Sequence, residues 1–129
     1  MSDSEQNPIG NTIIAGLIGG GIAAILNAIV FFIAPALNVT QADGSVGPVT
    51  LIPIIFASII PSIFAAIVLW LFRRFTGNGT RNFQIVAVIL LLLSFASPFT
   101  AAASTGIALW LNLMHLIAGA AIIWSLTMR

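Results

Sequence analysis

The side chains able to do chemistry are few, and they sit in unusual surroundings. The chain's single histidine, His115, follows Asn112 by three positions inside an apolar run, and Asn27, Ser58, Ser62 and Ser94 are likewise set well inside apolar stretches. An imidazole can shuttle protons, ligate a metal or pair by hydrogen bonds, while amides and hydroxyls can hold a polar ligand or satisfy free carbonyls. The absence of cysteine removes disulfides, iron–sulfur clusters, thiolate zinc sites and thiol nucleophiles together. One histidine also excludes bis-histidine haem and any zinc site that needs several imidazoles, so no metal is expected unless His115 alone serves as the axial ligand of a pigment or haem. No paired carboxylates and no nucleophile–base–orienter set can be assembled, and enzyme catalysis is therefore not expected.

The segments that must position these groups belong in lipid. Of 129 residues, 60% are hydrophobic and 5% charged, against roughly a quarter charged in soluble domains. The net charge of +1 comes from four arginines, no lysine and three acids, a scarcity of charge rather than a basic surface, so no nucleic-acid partner is expected. Met1-Ser2-Asp3-Ser4-Glu5-Gln6-Asn7-Pro8 is polar and acidic where a signal peptide would carry positive charge. The first apolar segment is thus expected to remain in the protein as a membrane helix.

Four apolar segments, at about 12–34, 50–72, 83–99 and 104–128, approach or exceed the roughly 20 residues needed to cross some 30 Å of hydrocarbon. Lipid offers the backbone no hydrogen-bond partners, and the alternating polarity of a barrel is absent, so the expected fold is an all-α, polytopic four-helix bundle forming a single membrane domain. Arg73, Arg74 and Arg81 fall in the connection 73–82, which the positive-inside rule places in the cytoplasm. Both termini then lie inside, with Arg129 on the same side, and Trp70 and Trp124 come near the inner interface. The expected location is a bacterial inner membrane, the bilayer itself being the first partner. The outer loop, 35–49, carries a turn signal at Asp43-Gly44-Ser45. Asn38-Val39-Thr40 matches a glycosylation acceptor, but so does Asn78-Gly79-Thr80 on the opposite face, and both are read as chance. Phe32-Ile33-Ala34-Pro35 and Phe95-Ala96-Ser97-Pro98 end the first and third segments alike, a slender sign of repeated hairpins.

Within the bundle, Gly16, Gly20, Ala23 and Asn27 share a face about 60° wide at the helical step. Such small residues let a neighbouring backbone approach closely, and a contact within the chain is expected. Ser58, Pro61, Ser62 and Ala65 give the second helix a small, weakly polar face. Pro61 deprives the carbonyl of Ala57 of its helical donor, and Pro98 does the same to that of Ser94. Counting at about 1.5 Å per residue puts Asn27, Ser58, Ser62, Ser94, Asn112 and His115 in one layer of the outer half of the bilayer, nearly open to the outside, with no comparable group in the inner half. Mutual satisfaction of buried polar groups explains such a layer most economically, and a ligand site is the alternative. No carboxylate lies in any span to pair with the imidazole.

Leu90-Leu91-Leu92-Leu93-Ser94-Phe95-Ala96-Ser97-Pro98-Phe99 and Leu111-Asn112-Leu113-Met114-His115-Leu116-Ile117-Ala118-Gly119-Ala120 resemble the paired signatures of an uncharacterised family of small bacterial four-helix membrane proteins. The resemblance implies the same four-helix layout and points to Ser94, Pro98 and His115, with Gly119 a close-packing position in the last signature. That family brings no activity with it. The expected function is a non-enzymatic bundle that is structural, packing with itself, or serves as an accessory subunit of a larger membrane complex. A small transporter for a neutral or weakly polar solute, using the layer around Asn112 and His115, is the alternative, and pigment or haem binding through His115 is a third.

Overall fold

In the computed structural model, residues 8–41 and 43–128 are described; the acidic N-terminal stretch and Arg129 fall outside them. The chain forms α1 (Pro8–Ile33), β1 (Asn38–Thr40), β2 (Val46–Pro48), α2 (Leu51–Phe75), α3 (Gly79–Ser94), α4 (Ala96–Ala101) and α5 (Thr105–Thr127). Four helical spans, with α3 and α4 counted as one, are long and apolar enough to cross a membrane. The architecture is thus the all-α membrane bundle that composition demands. Its outer surface is correspondingly apolar: Ile25, Phe32, Phe56, Phe64 and Leu93 are all exposed where acyl chains would lie.

α1 is the hub, packing most extensively on α2 and then on α5. Its buried residues Thr12, Gly16, Gly19, Gly20, Ala23 and Asn27 recur at helical spacing, and their small size allows close approach on two sides. A Cβ on Gly16 would lie 2.7 Å from the Ser62 carbonyl oxygen, and one on Gly20 2.9 Å from Ser62 Cβ. On the other side, a Cβ on Gly19 would lie 2.9 Å from both Ile122 Cα and Ser125 Cβ. α2 answers with the four-residue row Ile54, Ser58, Ser62 and Ala66, continued by Leu69. Pro61 and Ala65 do not share that buried row: Pro61 is exposed and Ala65 half-buried, one step round the helix.

The element ends depart from expectation for local reasons. Arg73 and Arg74 extend α2 through its last turn, where cations face unpaired carbonyls favourably. The connection shrinks to 76–78 because α3 begins at Gly79, where an added Cβ would come within 2.6 Å of the Phe72 carbonyl carbon. The third span runs on to Ala101 because the helix breaks at Ser94 and restarts at Ala96, which puts Pro98 in a first turn that needs no N–H from it. The connection between α1 and α2 is not wholly irregular. β1 and β2 form an antiparallel hairpin in the register Asn38↔Pro48, Val39↔Gly47 and Thr40↔Val46, turning through Gly44 at φ 86°. Val39 also bridges to Ala102, and the Ala103 N–H donates to the Asn38 carbonyl at 3.0 Å. These bonds tie the hairpin to the connection between α4 and α5.

Candidate functional site

Asn27 projects from α1 at the junction with α2 and α5, and is 4% exposed. Its Nδ2 donates to Ser58 Oγ and to the Met114 carbonyl oxygen, each at 3.2 Å. Ser58 Oγ in turn donates to the Ile54 carbonyl at 3.0 Å. One amide thereby joins three helices at a single level. The Asn27 Oδ1 is buried and has no partner among the described residues.

Beside this junction lies a groove of about 650 Å³ between α2, α3 and α5. α3 packs less closely than the other spans, and small residues widen the gap: Ala57, Pro61 and Ala65 from α2, Ala87 from α3, Ala118 and Gly119 from α5. Large apolar residues such as Phe64, Val68, Phe83, Leu90 and Ile123 line the rest. Asn27, Ser58, Ser94 and His115 are the polar residues on its wall.

The sequence-derived layer of six residues is only partly assembled. Asn27 and Ser58 are bonded to each other. Ser62 Oγ donates to the Ile59 carbonyl of its own helix and packs at Gly20, away from the groove wall. Ser94 lines the groove but its Oγ donates to the Leu91 carbonyl at 2.6 Å. Asn112 is half-buried, does not line the groove, and leaves Oδ1 buried without a partner among the described residues. His115 is exposed at the groove rim, with Nδ1 3.1 Å from the Leu111 carbonyl oxygen, rather than forming the floor of a shared layer. In a solvent as apolar as lipid, a hydroxyl turned back to the carbonyl three or four residues earlier satisfies itself locally, and this competes with any inter-helix network.

The layer is not open at the hairpin end of the bundle either. Leu37, Ile54 and Met114 form a buried apolar cluster packed by Val49 and Trp110, one turn toward the hairpin from the Asn27–Ser58 bond. The half nearer the α2–α3 connection, where no comparable polar group was expected, has polar ties of its own. Ser125 Oγ donates to the Ala15 carbonyl at 2.6 Å, Gln84 Nε2 to Thr127 Oγ1 at 2.9 Å, and Arg73 Nη2 to the Leu126 carbonyl at 3.5 Å. Arg73 also donates through Nε to Thr80 Oγ1 at 3.0 Å, so it fastens the ends of α2, α3 and α5 together. Gly119 meets α3 through the tip of Leu91, whose methyl groups would lie 2.6 Å from an added Cβ, and Pro98 is buried in α4.

The groove was missed in the sequence, though a signal was present. Pro53, Ala57, Pro61 and Ala65 form a second four-residue row on α2, parallel to the buried one and made of residues too small to fill the space before them.

The family model of DUF6069, described as a family of unknown function, matches residues 8–129. The chain belongs to that family. Membership in DUF6069 covers nearly the whole bundle, from the first residue of α1 through α5, and brings no residue roles. No curated protein and no solved structure matches the chain.

Proposed function

We propose that this chain is a non-enzymatic integral membrane bundle that holds another membrane component in its lateral groove, as an accessory subunit does. The observation that carries this reading is the groove itself: about 650 Å³ of mostly apolar space within the spans, beside a junction whose amide oxygen lacks a donor. Volumes of about 300–1,000 Å³ with a few polar groups are typical of sites that bind molecules. The hydroxyls argue against catalysis, since Ser58, Ser62 and Ser94 each donate to a carbonyl of their own helix and none faces a base. They also argue against solute passage, because the polar groups form no continuous path and the Leu37–Ile54–Met114 cluster covers them on the outer side. The clustering of Arg73, Arg74 and Arg81 at one end favours a cytoplasmic location for that end and for both termini, in the inner membrane of a bacterium.

Extraction into polymer-bounded lipid discs followed by native mass spectrometry tests this reading. The wild type should carry a companion of defined mass that Ala87→Phe, which fills the groove, displaces. A wild type and a variant with identical companions would refute it.

Pigment or haem binding has one observation in its favour. Nδ1 of His115 faces the Leu111 carbonyl, the arrangement that fixes a ligating imidazole and leaves Nε2 for a metal. No arginine lines the groove to meet carboxylates of a macrocycle. A visible absorption band in protein purified from its native membrane, lost in His115→Ala, would establish this reading; a colourless preparation would end it.

A further inference from the structure

The free hydrogen-bonding capacity along the groove is one-sided. The Asn27 Nδ2 has two acceptors, and Ser58 Oγ both donates and accepts, so the atom left over at this level among the described residues is the buried Asn27 Oδ1, an acceptor behind the groove wall. Pro61 has no N–H, which leaves the Ala57 carbonyl, on the same wall, without its helical donor. The Leu111 carbonyl can only accept, so His115 Nδ1 carries the hydrogen, and in the neutral ring Nε2 is again an acceptor. The bond from Asn27 to the Met114 carbonyl and that to Ser58 fix these groups within about one helical turn of each other. Inward from that level the groove is apolar down to Phe83 and Val68, some ten residues or about 15 Å along α2 from Ser58.

We propose that the groove binds a single-chain neutral amphiphile whose head is a hydrogen-bond donor, a long-chain alcohol or phenol, with the hydroxyl at Asn27 and the chain directed toward the inner leaflet. The inference rests on the groove being a binding site, as proposed above. An acceptor-only head, such as a ketone, quinone or ether, would meet three acceptors and no donor. A charged amine has no carboxylate on the groove wall to accompany it. A transmembrane helix roughly 10 Å across and 30 Å long, on the order of 2,400 Å³, is too large for the groove to enclose, so the size also favours one chain.

His115 is the only histidine, so ¹⁵N-histidine labelling yields one imidazole to observe. Protein in lipid discs is titrated with 1-dodecanol and, separately, with its methyl ether. The alcohol should saturate with a shift of the Nε2 resonance, at an affinity up to about tenfold above that of the ether. His115→Phe should bind the alcohol with that preference reduced, Asn27→Leu should abolish the preference, and Ala87→Phe should prevent binding of either probe. Because Asn27→Leu also removes a junction, Ala87→Phe and the alcohol–ether comparison in the wild type are the decisive pair. Equal affinity for alcohol and ether, both lost in Ala87→Phe, would overturn the donor-head inference while leaving the groove as a binding site. No saturable binding of either probe, together with companions indifferent to Ala87→Phe, would overturn the groove reading itself.

Discussion

Asn27 on α1 donates to the hydroxyl of Ser58 on α2 at 3.2 Å, and the same amide nitrogen reaches the Met114 carbonyl on α5 at 3.2 Å. In lipid the alternative for an amide is an unsatisfied polar group in hydrocarbon, yet measured inter-helix hydrogen bonds average only about 0.6 kcal/mol, because the separated helices find partners too. Ser58→Ala should therefore cost about 0.6 kcal/mol, and Asn27→Ala about 1–2 kcal/mol, since it removes both bonds and leaves a cavity. A double-mutant cycle, read by unfolding in mixed detergent micelles, should show coupling between the two sites. Strict additivity would mean that the bond contributes nothing.

Close packing at α1 makes a sharper prediction because the glycines differ in their surroundings. A Cβ on Gly16 would meet the Ser62 carbonyl oxygen at 2.7 Å, an immovable backbone atom, whereas Gly21 has nothing within 4 Å of the same position. Gly16→Ala should destabilise by about 1–3 kcal/mol, the usual cost of overpacking. Gly21→Ala should be neutral or stabilising by up to about 1 kcal/mol, through the gain in helix propensity. Thermal melts of the two variants in one detergent compare them directly; equal shifts would contradict the α1–α2 packing.

These contrasts show which parts of the molecule the sequence discloses. The four spans are legible because lipid demands long uniform apolar runs and nothing else satisfies the backbone. The hairpin is not, since Asn38–Thr40 and Val46–Pro48 are too short to display alternation and depend on Ala102 and Ala103 for support. Depth counting brings Asn27 and Ser58 to one level because rise per residue is fixed. It says nothing about rotamers, and so it could not distinguish Ser58, which receives the Asn27 amide, from Ser94, whose hydroxyl is turned to Leu91. Nor could it show that α3 stands off from α2 and α5, because the space between helices is set by how side chains of three spans mesh at once.

The hairpin tip offers a pH-dependent signal. Asp43 Oδ1 accepts from Ser45 Oγ at 2.6 Å and from Ser45 N at 2.9 Å, and these bonds lower its pKa from the usual 3.8. A carboxyl whose folded pKa is depressed adds stability above its unfolded value, and that contribution is lost as pH falls through the lowered folded value. The turn should hence loosen only on acidification below the ordinary carboxylate range. Ser45→Ala should raise the midpoint toward 3.8, read from the Asp43 carboxyl ¹³C shift, while the thermal transition of the bundle stays unchanged. A midpoint unmoved by Ser45→Ala would show that the hydroxyl does not hold the carboxylate.

Orientation in the bilayer is the remaining prediction, and it follows from the distribution of charge. Arg73, Arg74 and Arg81 cluster at the α2–α3 end, whereas the hairpin at the other end carries only Asp43. Arg74 lies over the rings of Trp70 at 5.5 Å and Phe75 at 5.9 Å, an arrangement suited to the headgroup level, where an indole and a guanidinium can both meet water. The chain has no cysteine, so single cysteines can be introduced without background. Thr40→Cys, exposed on the hairpin, should react with a membrane-impermeant maleimide added to intact cells; Asn78→Cys, exposed between α2 and α3 with no side-chain capping bond, should react only after the membrane is opened. The reverse pattern would place the arginine cluster outside. Equal labelling of both would imply mixed insertion, and charge-reducing variants such as Arg81→Gln should then shift the ratio further.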